Sequence, residues 1–187
     1  ARCELDPLLA LVGPTGPEGF ALGHEAVVEV VAVGDAVADL TVGQLALPSF
    51  QLSCGTCPTC RRGHTANCDE YPVLSDFGMQ PLSGVEYGGM LADLVRVPHA
   101  DAMLTVLPAG LDPVAVASVP DNVADGYRSV APHLARRPGA DVLVVSHGLP
   151  SNGLYAAQSA LLSGAGSVTI ASDDDEVTVW NFDHMYD

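Results

Sequence analysis

No lysine occurs anywhere in the chain, and besides six histidines the only basic residues are seven arginines. Set against 23 carboxylates, they leave a formal net charge of -16. A surface so negative repels phosphate backbones, which excludes nucleic acid as a natural partner. Although 48% of the residues are hydrophobic, no apolar run is long enough to span a bilayer, so a soluble globular protein with no membrane partner is expected. No signal peptide is visible, which points to a cytoplasmic protein and away from an oxidising compartment. An initiator methionine is missing as well: the chain opens on Ala1-Arg2-Cys3. The tail, 177–187, carries the only tryptophan and departs from the Ala, Gly and Val style before it. Both ends are expected to be those of a fragment.

What is present begins with cysteine. Four of the five cysteines fall in one stretch, Cys54-Gly-Thr-Cys57-Pro-Thr-Cys60, followed by Cys68. Four thiolates this close can surround one Zn²⁺ tetrahedrally, with Gly55, Pro58 and Gly63 turning the loop between ligands. Such a site is closed to substrate and therefore structural. The competing reading is a pair of disulfides, which needs an oxidising compartment.

Around this lobe the pattern is that of short strands. Ala26 to Val33 is β-branched and ends at Gly34-Asp35, and Gln44 to Leu47 stops at Pro48. Met90 to Val97 and Met103 to Leu107 read as two more, which together suggest a small, partly open barrel. From Pro113 the period changes: 114–119 and 123–134 read as helical, broken by Pro120 and Pro132. Ala140 to Ser146 has the apolar run of a buried parallel strand, 152–163 a helical stripe, and Ser167 to Ala171 a second strand. That is one β-α-β unit, the opening of a doubly wound sheet.

Gly23-His24-Glu25 precedes the first strand, with Cys3 upstream and Asp121 far downstream. Spacing alone does not bring these together. A lone histidine there is ordinarily a surface or core residue, Cys3 reads equally as a small buried hydrophobe, and Asp6 as a turn carboxylate.

In order, Cys3 to Asp6, Gly23-His24-Glu25, the cysteine lobe, Gly88 to Pro98, Asp121 to Tyr127 and the β-α-β unit resemble the zinc-dependent medium-chain alcohol dehydrogenases. The resemblance implies a mixed α/β fold: a GroES-like, partly open β-barrel domain with a zinc lobe over 1–125, then an incomplete Rossmann domain over 126–176, with 177–187 as an atypical tail. It implies that Cys3, His24 and Asp121 hold a catalytic zinc, with Glu25 as an occasional further ligand and Asp6 orienting the histidine. Cys54, Cys57, Cys60 and Cys68 match the structural zinc lobe, leaving His64 as a solvated loop residue. The implied reaction is hydride transfer between a small alcohol and NAD(P), giving an aldehyde or ketone, in a protein that forms homo-oligomers.

Three positions depart from that family. Leu5 stands where a Ser or Thr ordinarily starts the proton relay, and Asp125 stands where a Thr is usual. In Gly148-Leu-Pro150-Ser-Asn-Gly153 the middle glycine of the dinucleotide turn is Pro150, which has no N–H to offer a phosphate. Gly148 and Gly153 remain the cofactor candidates, with Ser172 and Asp173 where the adenosine ribose is read. The three carboxylates Asp173, Asp174 and Asp175 disfavour a ribose phosphate, so NAD is favoured over NADP; Asp174 and Asp175 also suit a solvated helix start. The alternative reading is a non-catalytic, zinc-stabilised remnant of the fold acting as a scaffold or binding domain.

Overall fold

A computed structural model describes residues 19–79, 85–146, 151–172 and 180–181. Cys3, Leu5, Asp6, Gly148, Pro150 and Asp173 to Asp175 lie outside the described residues. The chain forms two compact units, Ala1–Asp121 and Asn122–Asp187.

In the first unit, proline and glycine keep the strands short. The strands β1 (Val28–Glu29), β2 (Leu45–Pro48) and β3 (Leu104–Val106) form an antiparallel sheet in that order. Val28 pairs with Ala46, and Ala46 in turn with Val106. Pro48 closes β2, having no N–H to extend the ladder. Below the sheet, Ala26, Leu52, Phe77, Met90 and Met103 make the core, with Phe77 fully buried.

Two strand expectations are corrected here. The β-branched run 26–33 contributes only β1, with Val30 still bonded to Gln44 and Gly43; Val31 and Val33 are exposed. Residues 90–97 form no strand: Met90 enters the core while Leu91 and Leu94 face solvent. Their amides bond instead to the segment before His24, Met90 N–H to the Gly23 carbonyl at 2.6 Å and Leu91 N–H to that of Leu22 at 3.0 Å. Met103, expected in a strand, ends the short helix α2 (Ala100–Met103), which follows α1 (Pro58–Arg61) in the cysteine lobe.

The second unit is the β-α-β expected from the apolar runs. Helix α3 (Ala124–Leu134) leads to β4 (Asp141–Ser146), α4 (Ser151–Leu162) and β5 (Ser167–Ser172). Strands β4 and β5 pair in parallel, Asp141 with Ser167 through Ser146 with Ser172, and β6 (Trp180–Asn181) joins β5 antiparallel. Val130, Leu134, Val144, Ala156, Ala157, Ala160, Val168 and Ile170 form its core. Strand β4 is not buried on both faces as its composition suggested: Val144 is covered, whereas Leu143 is 65% and Val145 74% exposed. Pro132 does not break α3, because it sits in the last turn, where a missing N–H costs one hydrogen bond. The stretch 114–119 is turn rather than helix, and passes into a π-helical turn, Val119–Val123.

Candidate metal centres

The cysteine lobe assembles from its own sequence. Gly55 has φ 72° and a side-chain carbon there would overlap the Ala102 Cβ, so a side chain at 55 is excluded both by the backbone and by space. Pro58 opens α1, and Cys57 caps it, its sulfur accepting the Cys60 amide at 3.3 Å. Asp69 ties the two ends of the lobe by accepting from the Thr59 hydroxyl at 2.7 Å.

All four cysteines are free and buried, and their sulfurs lie within 4.8 Å of one another. A tetrahedral ion with sulfur bonds of about 2.3 Å holds its ligands about 3.8 Å apart. The Cys57 and Cys68 sulfurs stand at 4.0 Å, close to that spacing, and the rest of the set needs to draw in by at most about an ångström to hold such an ion. Amides point at the sulfurs: Cys57 N–H at Cys54 Sγ (3.3 Å), Cys54 N–H at Cys68 Sγ (3.3 Å) and Asp69 N–H at Cys57 Sγ (3.5 Å). Donated hydrogen bonds favour thiolate over thiol. The Thr56 hydroxyl and amide, with the Cys57 amide, bring the Cys54 thiol down to about 6. Burial, with sulfur neighbours, drives Cys60 the other way, up to about 12. A cation among the four would offset that burial cost. Among the described residues, this is the one group of three or more candidate ligands that converges. His64 is exposed, outside the tetrahedron.

The second constellation is built from segments far apart in sequence. Gly23 and Gly78 let two backbones meet: a side-chain carbon at 78 would overlap the Gly23 carbonyl. That contact, with the Met90 bond to Gly23, fixes the chain immediately before His24. The His24 ring packs against Phe50 at 5.6 Å between centroids and is 1% exposed. Asp121 arrives on the π-helical turn Val119–Val123, and its Oδ2 stands 3.2 Å from His24 Nε2. Two ligands on a tetrahedral ion with bonds of about 2.0–2.1 Å are about 3.3 Å apart. The spacing therefore suits an ion pair and a shared metal alike.

Glu25 is fully buried and accepts the Ser118 hydroxyl at 3.0 Å. Asp76 is a half-buried carboxyl with His24 in its field; burial lifts it to about 6, and the histidine pulls the other way. Neither Ser118 nor Asp76 had been singled out from sequence, and a serine or aspartate in a turn carries no signal that would have found them. Asp125, expected beside a nicotinamide, lies on α3 with Arg128 at 2.8 Å one turn on.

For the dinucleotide, Gly153 sits in the first turn of α4. A side-chain carbon there would stand 3.2 Å from Ser146 Cβ and Oγ, so the glycine allows helix and strand to approach. Ser172 is the last residue of β5.

The sequence of the first unit decides the family. Residues 3–109 match the alcohol dehydrogenase GroES-like domain. The chain belongs to the zinc-dependent medium-chain alcohol dehydrogenases. It is 34% identical over 151 residues to a probable zinc-binding alcohol dehydrogenase of Mycobacterium tuberculosis, covering 81% of this chain and 37% of that protein. With a glutathione-independent formaldehyde dehydrogenase of Pseudomonas aeruginosa the identity is 33%, over 90% of this chain and 43% of the relative. Among solved structures, the alcohol dehydrogenase from Thermus sp. ATN1 superposes with a TM-score of 0.79 at 33% identity, over 93% of this chain and 48% of the other. A zinc-binding dehydrogenase from Sinorhizobium meliloti, solved with NADP, gives 0.66 at 28%, over 93% and 46%. The chain thus spans less than half the length of these family members.

Proposed function

We propose that the whole protein is a zinc-dependent alcohol dehydrogenase, passing hydride between a small alcohol and a nicotinamide dinucleotide to give an aldehyde or ketone. The observation that carries this is the buried pair His24 and Asp121, whose Nε2 and Oδ2 are 3.2 Å apart. Within the family, this pair and Cys3 are our candidate ligands of the catalytic zinc, with Asp6 orienting His24. Bound zinc supplies Lewis acidity that eases loss of the alcohol's proton, and the dinucleotide supplies the hydride acceptor.

The rest falls to the chain's own residues. The Phe50 ring and the Gly23–Gly78 contact hold the imidazole in one orientation, so its Nε2 lone pair is presented without reorganisation. Burial of His24 and Asp121 keeps water from competing at the pair. Cys54, Cys57, Cys60 and Cys68 are assigned to a second, structural zinc that orders the lobe. Leu5 has no hydroxyl to pass on a proton, so a route through water or another group is required.

The dinucleotide is assigned to the turn into α4, with Gly148 and Gly153 as the candidates for its pyrophosphate and Ser172 and Asp173 as those for the adenosine ribose. Asp173, Asp174 and Asp175 make NAD the preferred form. A cytoplasmic homo-oligomer is the setting proposed; no described helix is long and apolar enough to cross a membrane. A second reading, a zinc-stabilised scaffold without turnover, is favoured by Leu5 and Pro150.

The test is an assay of the full-length protein for oxidation of short alcohols with NAD and with NADP. Turnover that disappears on chelation and returns with zinc supports the enzyme. An inactive full-length protein that still holds one zinc in its cysteine lobe supports the scaffold.

A further inference from the structure

With 23 carboxylates against seven arginines and no lysine, the chain stands at -16, and the fold does little to pair those charges. Among the described residues one arginine meets a carboxylate at salt-bridge distance, Arg128 with Asp125 at 2.8 Å, an exposed pair on α3. Other arginines serve neutral oxygens. Arg62 donates to the Thr59 hydroxyl at 3.2 Å, with Asp69 only in its field, and Arg136 to the Pro132 carbonyl at 3.2 Å. Glu29, Asp35, Asp39, Glu70 and Asp93 are exposed, and their carboxylates have no hydrogen-bond or ion-pair partner among the described residues. Nor is the second unit built to offset much repulsion: the buried face of α4 is Ala156, Ala157, Ser159 and Ala160, side chains that contribute little apolar area.

We propose that the chain is built for a salt-rich solution, its folded form relying on dissolved cations to screen charges that it does not pair internally. Like charges crowd together on a compact surface and spread apart on unfolding, so unscreened repulsion favours the unfolded chain. At 0.1 M ionic strength the screening length is about 10 Å, which lets neighbouring carboxylates feel one another; at 1 M it is about 3 Å, which leaves little beyond direct contact. The cations gather over the whole surface rather than at one site. None of this involves the His24–Asp121 pair, so it stands or falls apart from the catalytic reading.

The test is thermal unfolding of the zinc-loaded full-length protein, followed by circular dichroism. Tm should rise by about 10 °C or more between 0.1 M and 2 M KCl. MgCl2 should give the same rise at several-fold lower concentration, because the cation is what screens. A variant carrying Glu29→Gln, Asp35→Asn, Asp39→Asn, Glu70→Gln and Asp93→Asn removes negative charge at exposed positions of this chain alone. It should melt higher than wild type in 0.1 M KCl and gain clearly less from added salt. A Tm that stays flat or falls with KCl would overturn the proposal, as would a variant whose salt response equals that of wild type. So would K2SO4 outperforming MgCl2 at equal ionic strength, which would show that salt acts through apolar burial instead of charge. The wild-type salt series decides the matter even where the variant does not fold.

Discussion

The two candidate metal centres of the first unit are built in opposite ways. The lobe draws four sulfurs from residues 54–68, a stretch that closes on itself through a proline-initiated turn, a glycine with positive φ and the Thr59–Asp69 bond. The His24–Asp121 pair takes its members from positions 97 residues apart and needs the core to bring them together. A local site survives as long as its own loop does. A site assembled across the fold depends on every backbone contact that sets its geometry, here the meeting of Gly23 with Gly78 and the turn at Ser118. The comparison teaches that the lobe should fail only when its ligands or the turn residues of its own loop are changed, whereas the pair should be sensitive to changes at residues far from it in sequence that never touch a metal.

The sharpest break is at the lobe. Replacing Cys60 with Ser removes one of four converging ligands and leaves the remaining thiolates crowded in a buried space. We expect loss of the lobe metal and a stability loss on the order of 5 kcal/mol, seen as a collapse of the denaturant midpoint. Next is Gly78→Ala, which leaves the lobe untouched but forces a methyl into the Gly23 carbonyl at a backbone φ of 65°. A cost of about 3 kcal/mol is expected, together with weaker metal binding at the pair and a cysteine lobe that keeps its metal. Asp121→Ala should lower affinity for the second metal on the order of a hundredfold or more and spare the first, which equilibrium dialysis would register.

The smallest effect expected is at Asp76, and it depends on pH. Burial holds this carboxyl at about 6 in the folded chain against an ordinary 3.8, so folding favours its protonated form. That contribution is fully present below about 3.8, is lost as pH rises and is gone above about 6. Asp76→Asn should therefore raise Tm at pH 7 and leave it unchanged near pH 3.5. Equal shifts at both pH values would show that the carboxyl is not perturbed.

How much was legible follows the same division. The lobe could be read from spacing because its ligands and its turn residues share one stretch, and the β-α-β unit because β4, α4 and β5 each carry their own period. The strands expected at 26–33 and 90–97 misled because an apolar or β-branched run becomes a strand only where a partner's backbone lies alongside to take up its hydrogen bonds. Val28 and Glu29 pair with β2, and Val30 still exchanges hydrogen bonds with Gln44 and Gly43 just before that strand. The meeting of His24 with Asp121 was not written in any local pattern and came only through family resemblance. The hydroxyl of Ser118 on Glu25 was invisible even to that, since nothing in a Val-Ala-Ser-Val-Pro stretch marks one serine as buried.

The measurement that bears most directly on this account is total zinc per chain, by elemental mass spectrometry, on reduced protein purified in zinc and dialysed free of excess. Two zincs per wild-type chain, falling to one in Asp121→Ala, are predicted. One zinc in both, held by the cysteines, would leave His24 and Asp121 as a buried ion pair and contradict the claim that they frame a metal site.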